Sequence, residues 1–266
     1  MIKSKIETVF KQGEKMGKKI VYILLLIQMS MGVVWSAELP QPKLLYPTPS
    51  AIVMEAYRYL GRLEKFSVDA ITTSDDTFQG KMLVTFTHKV HIDLQRPDKL
   101  HIEVSGDLKQ RSFYLDKGNF TLYDKDLDYY GILSVPQNID GALDTLFERY
   151  QIKTSLANIL YSDLDRRIPP KNKGYYFGLS EVEGALCYHL GFTNKVREIQ
   201  LWIEKGIRPL IRKFIIIDKT QKQLPRSVTL LKWNLHPTFQ KALFEFEPSP
   251  KSLPIIIESA SKGVKK

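Results

Sequence analysis

The stretch Val90-His-Ile-Asp-Leu-Gln-Arg-Pro-Asp-Lys-Leu-His-Ile-Glu-Val-Ser-Gly-Asp107 decides the fold. Apolar residues fall at 90, 92 and 94 and again at 100, 102 and 104, with polar residues between them. A period of two places the apolar side chains of a strand on one face. The runs are separated only by Arg96-Pro-Asp98, far short of the dozen or so residues that a parallel crossover needs. The chain must double back here, so the two strands pair antiparallel.

Outward from this hairpin the pattern repeats. Before it, Phe66, Val68 and Ala70 alternate with polar neighbours, as do Met82, Val84 and Phe86; after it come Phe113 and Leu115, then Phe120 and Leu122. Turn residues bound the runs at Asp75-Asp76, Ser105-Gly106-Asp107 and Asp116-Lys117-Gly118. A second series is expected at Tyr175–Val182, Ala185–Thr193, Val196–Glu204, Leu210–Asp218, Arg226–Asn234 and Lys241–Glu247. The period changes to that of a helix in two places. Ile52, Val53, Ala56, Tyr59, Leu60 and Leu63 follow the capping Thr48 and Pro49, and Ile139, Ala142, Leu143, Leu146, Phe147 and Tyr150 follow Asn138. A shorter helix is expected over Ser155–Tyr161.

About a dozen short strands cannot form a flat sheet, because twist accumulates from strand to strand. The expected fold is mainly β with α (α+β). It is a curled antiparallel sheet forming an open half-barrel, plugged by an N-terminal helix and a mid-chain helical insertion.

The first residues read as an export signal. Lys18-Lys19 precede the apolar run Ile20–Ile27, which continues less purely to Trp35 and ends at Ser36-Ala37. A membrane anchor is the rival reading, diluted by Gln28, Ser30 and Ser36. The expected divisions are a signal peptide at 1–37, a proline-rich linker at 38–47, one β domain at 48–250 and a flexible tail at 251–266. The location is therefore periplasmic. The lone cysteine, Cys187, lies far from the leader, so the chain is not expected to be lipid-anchored and has no intramolecular disulfide. Residues 1–37 hold six lysines and two acids, so +4 of the net +10 belongs to them and +6 to the rest. That remainder allows a mild attraction to anionic membrane surfaces. It is spread rather than clustered, which speaks against nucleic acid.

Little in the chain points to chemistry. Asp124-Lys-Asp126-Leu-Asp128 starts like a calcium loop, but Tyr129 and Val135 stand where glycine and glutamate are needed, so a polar turn is expected. His88 and His91 fall on opposite faces of a strand, and His101 lies on the next; all three are expected at the surface. Cys187 and His189 share a face but stand nearly 7 Å apart (about twice the rise per residue), too far for a direct hydrogen bond. No metal, cofactor or catalytic residue is expected.

Phe66-Ser-Val-Asp-Ala70, Arg96–Asp107, Phe113-Tyr-Leu-Asp116 and Thr121-Leu-Tyr-Asp124 resemble a bacterial family of predicted periplasmic proteins, domain-of-unknown-function family 2092. Leu201-Trp-Ile-Glu204, Arg208-Pro-Leu210, Trp233-Asn-Leu235 and Phe244-Glu-Phe-Glu-Pro248 resemble its C-terminal half. One departure is Lys117, which precedes Gly118 where the family usually has Asp-Gly. The family is similar to periplasmic lipoprotein carriers and mycobacterial lipoprotein lipid carriers. That similarity implies an open half-barrel with helices over an apolar cavity, and raises the expectation that Arg96 or Arg208 latches the helices.

Together these readings point to an exported, non-enzymatic binder of a lipid, acyl chain or lipidated protein. The expected lining is Val84, Phe86, Ile102, Val104, Phe113, Leu115, Leu122, Leu201 and Ile203. The alternative is an envelope interaction or sensing module with a solid core, because periodicity reports burial and not emptiness.

Overall fold

The computed structural model describes residues 47–152 and 156–260. The expected signal peptide and nearly all of the linker lie outside the described residues. No helix among the described residues is long and apolar enough to cross a membrane.

Helix α1 (Pro49–Arg62) is followed by β1 (Lys65–Phe78), β2 (Met82–Gln95), β3 (Lys99–Gly106), β4 (Arg111–Asp116), β5 (Asn119–Asp124) and β6 (Tyr129–Ser134). Helix α2 (Ile139–Tyr150), a 3-10 turn (Ala157–Leu160) and the short α3 (Leu164–Arg167) interrupt the strands. Then come β7 (Tyr175–Val182), β8 (Ala185–Thr193), β9 (Arg197–Glu204), β10 (Ile211–Asp218), β11 (Arg226–Asn234) and the two-residue β12 (Leu253–Pro254).

All twelve strands form one open sheet in the order β12-β6-β5-β4-β3-β2-β1-β11-β10-β9-β8-β7. Every pair is antiparallel except β12 with β6. Both long helices are capped from within: Thr48 Oγ1 accepts from the Ala51 N–H and Asn138 Oδ1 from the Gly141 N–H.

The register aligns apolar residues in rows across the strands. Phe66, Leu94, Leu100, Leu115, Phe120 and Leu133 are successive partners from β1 to β6, and all are buried on the inner face. Val68, Ile92, Ile102, Phe113 and Leu122 form the next row. This face meets Ile52, Val53, Ala56 and Leu60 of α1 and Ile139, Ala142, Leu143 and Leu146 of α2 in one core. The sheet curves around these helices. In a flat sheet β4 and β9 would lie about 29 Å apart, six strand spacings, yet residues of both border one cavity.

Five expectations need correction. Met82–Phe86 and Val90–Leu94 belong to a single strand, β2, because Thr87–Lys89 pair with β1 without a break. The sixth strand before the insertion is Tyr129–Ser134, entered by the turn at Asp124–Asp128. The expected helix at Ser155–Tyr161 is a 3-10 turn at Ala157–Leu160.

Lys241–Glu247 is not a strand but a 3-10 turn (Lys241–Phe244) and an extended segment. Its alternating Phe244 and Phe246 are buried and half-buried in another way. They strap the outer face of the sheet, Phe244 below Lys99 and Phe246 against Tyr114, Tyr123 and Tyr130. Residues 253–257 then run along β6, with the Ile255 N–H donating to the Tyr130 carbonyl and Ile257 packed at Gly131. The segment read as a frayed tail is in this part a sheet edge.

The Lys117 departure leaves the β4–β5 hairpin intact. Asp116 pairs with Asn119, and Lys117 and Gly118 both take positive φ (50° and 88°), the geometry of a two-residue hairpin loop.

Candidate functional site

Between the inner face of β3–β5 and helix α2 lies a cavity of about 720 Å³. Strand alternation supplies one wall: Leu100 and Ile102 from β3, Phe113 and Leu115 from β4, and Phe120 from β5. The apolar stripe of α2 supplies the other, through Ala142, Leu143 and Leu146. Two of the wall positions, Ala142 and Ala157, are small and leave room where a larger side chain would fill it.

Of the residues expected to line a cavity, Ile102, Phe113 and Leu115 do so. Val104 and Leu122 lie on the same face, half-buried against the core. Leu201 and Ile203 are buried core of β9, away from the space. Val84 and Phe86 point to the inner side but sit on a part of β2 that no helix covers, and they do not line the cavity. Leu100 and Phe120 were missed although they share the alternation of their neighbours. The α2 wall was legible as a helical stripe, but nothing in a stripe tells which strands it faces.

Charged groups collect at the mouth, where Asp144, Glu148, Arg167 and Arg197 join Asn158, Tyr161, Phe147 and Ile168. Arg167 donates to both Asp144 oxygens (2.7 and 3.0 Å) and to Asp163, and stacks over the Tyr161 ring at 4.0 Å. Burial works against its charge, but the two carboxylates outweigh that and raise its pKa. The Tyr161 hydroxyl donates to Asp144, and burial with this bond pushes its pKa up to about 12. Asp144, Tyr161 and Arg167 are thus held by one another.

Arg96 ties the two long helices to the sheet. Its Nε donates to the Leu63 carbonyl at the end of α1, and Nη1 stands 3.9 Å from Asp140 in the first turn of α2. Burial lowers its pKa. Arg208 makes no such contact among the described residues.

The outer face of the same strands carries a polar network. Asp93 accepts from Ser67 at 2.6 Å, lies 3.1 Å from His91 Nε2 and 3.6 Å from His101 Nδ1. His91 also meets Asp69 at 2.6 Å, and His101 Nε2 meets Glu103 at 2.9 Å, with Lys125 on the far side of Glu103. His101 is not at the surface as expected: Tyr114 stacks on it and the strap residue Phe246 covers Tyr114. Burial disfavours its charge, but Asp93 and Glu103 prevail and raise its pKa. Burial likewise opposes ionisation of Glu103, yet His101 and Lys125 hold its pKa down at about 2. No group of these residues among those described has the arrangement to hold a metal ion.

Cys187 is fully buried on the outer side, donates to the Ala185 carbonyl and has its pKa raised to about 11 by burial. His189 bonds Gln200 and stacks on Trp202 instead.

The family described as predicted periplasmic protein (DUF2092) matches residues 50–258, and the chain belongs to that family. No curated protein matches the chain. Among solved structures it is similar to LprF from Mycobacterium bovis, with 12% identity over 73% of this chain and 96% of that one and a TM-score of 0.46. It is also similar to the Mycobacterium tuberculosis lipoprotein LppX, with 13% identity over 72% and 97% and a TM-score of 0.45. A third is a LolA superfamily protein from Nitrosomonas europaea, with 11% identity over 75% and 99% and a TM-score of 0.33.

Proposed function

We propose that this periplasmic family member is a non-catalytic binder that holds an acyl chain, of a free lipid or of a lipidated protein, in the cavity beneath α2. One observation carries the reading. The space is walled by aliphatic and aromatic side chains from three strands and a helix, and its polar lining residues are half-buried or exposed ones. Its volume falls within the range of about 300–1,000 Å³ usual for ligand sites.

Each methylene withdrawn from water contributes about 0.8 kcal/mol, so a long chain binds without specific polar partners. The ion-paired mouth suits the same task, since a headgroup remains there in water while the tail enters. Tyr161, with its pKa raised to about 12, offers no acid or base near neutrality.

The test is to express residues 38–266 in a bacterial periplasm, purify without detergent, extract with organic solvent and identify the extract by mass spectrometry. Stoichiometric phospholipid, fatty acid or lipopeptide, lost in a Phe113→Asp variant that still folds, supports the reading. An empty extract together with no uptake of added fatty-acid probes overturns it in favour of a solid interaction module.

A further inference from the structure

The β1–β2 hairpin runs past the rest of the sheet. Pairing of β1 with β11 ends at Ser74, and pairing of β2 with β3 ends at His88. Beyond those points the two strands pair only with each other, up to Phe78 opposite Met82. A two-stranded ribbon is marginal alone in water. This one is steadied by the neighbouring β10–β11 turn, where Thr77 Oγ1 donates to Gln221 and Gln223 donates to the Gly80 carbonyl.

The ribbon carries an apolar stripe that is exposed at its tip and half-buried at Val84 and Phe86. Phe78, Met82, Val84 and Phe86 share its inner side by register, and Phe78 and Met82 are 56% and 57% exposed. Leu224 of the supporting turn is 53% exposed. On β2 the half-buried His88, opposite Thr72, separates this stripe from Val90 and Ile92 of the core, so the apolar tip is a patch of its own. Charge is arranged unequally around it. Asp75, Asp76 and Asp218 accept from the backbone N–H groups of Arg226, Thr77 and Thr220. Lys81 and Lys222, at the tips, make no ion pair or side-chain hydrogen bond among the described residues.

We propose that this hairpin is a membrane finger, whose tip inserts Phe78 and Met82 into the interface of an anionic lipid bilayer while Lys81 and Lys222 meet lipid phosphates. An exposed apolar tip gains by leaving water, and nearby lysines are attracted by a negative lipid surface. The committed partner is the bilayer, because Lys81 and Lys222 at the tips have no ion pair among the described residues, while Asp75, Asp76 and Asp218 are each engaged by backbone N–H groups. The proposal stands whether or not the cavity beneath α2 holds a lipid.

The test is flotation of residues 38–266 with vesicles of phosphatidylcholine alone and of phosphatidylcholine mixed with phosphatidylglycerol. The chain is expected to float with the mixed vesicles and not with the neutral ones. The Phe78→Ser/Met82→Ser and Lys81→Glu/Lys222→Glu double variants should each weaken binding about tenfold or more. Ile207→Ser, an exposed position in the β9–β10 turn at the other end of the sheet, should leave it unchanged. All four residues are exposed or in turns, and circular dichroism confirms that the variants fold. Equal flotation of the double variants and the unchanged chain overturns the finger. So does failure of the unchanged chain to bind the mixed vesicles, or self-association abolished by Phe78→Ser, which assigns the tip to a second copy.

Discussion

On β8 and β9, Leu190, Leu201 and Ile203 are buried in solid core where α1 packs against β9; on β3 to β5, Ile102, Phe113 and Phe120 face open space under α2. The two regions share one sheet, one alternation and one type of side chain. They differ in what covers them. On the cavity side the cover includes Ala142, Ala157 and a polar mouth, while α1 presents Ile52, Val53, Ala56 and Leu60 to the core. Emptiness is thus a property of the covering helix and its neighbours, not of the strand pattern.

The largest expected effect separates the two sides by stability. Ile203→Ala should cost about 2–5 kcal/mol in guanidinium unfolding, because the site is closely packed and cannot collapse. Phe113→Ala should cost roughly 1–2 kcal/mol, since its ring already borders unfilled volume. Equal losses would mean that the two regions are packed alike.

A cavity-filling substitution sharpens the contrast. Ala157→Phe should abolish uptake of a fluorescent fatty-acid probe and leave the unfolding free energy within about 0.5 kcal/mol of the unchanged chain. Retained uptake would place the ligand elsewhere.

A smaller effect separates the inner face from the outer. Glu103, at about 2 in the folded chain against an ordinary 4.5, stabilises above 4.5, and its contribution is lost as pH falls toward 2. His101 is raised above 6.5, so its contribution is complete below 6.5 and fades as pH rises through the folded value. Stability should therefore peak between about 4.5 and 6.5. Glu103→Gln should flatten the acid limb, while Phe113→Ala should leave the shape of the profile unchanged. An unaltered acid limb in Glu103→Gln would remove the network from the account.

Most strands, their antiparallel pairing and both long helices were legible because each rests on local periodicity and short turns, as at Arg96-Pro-Asp98; β6 was not, and β2 was read as two strands. Phe244 and Phe246 were misread for the same reason: they alternate, but against the outer face and outside the ladder. Leu201 and Ile203 share the alternation of Ile102 and Phe113, so only the tertiary position of α2 decides which pair meets open space. Val84 and Phe86 were on the correct side of β2. Their distance from the cavity depends on where β3 stops, at Gly106, and pairing length is not written in the alternation itself.

The most direct test of the central claim is titration of a fluorescent long-chain fatty acid into residues 38–266, purified without detergent and stripped of bound lipid. The account predicts saturable one-to-one binding that disappears in Ala157→Phe and survives in Leu201→Met, a volume-conserving change on the solid side. Binding that persists in Ala157→Phe, or no saturable binding in the unchanged chain, would contradict it.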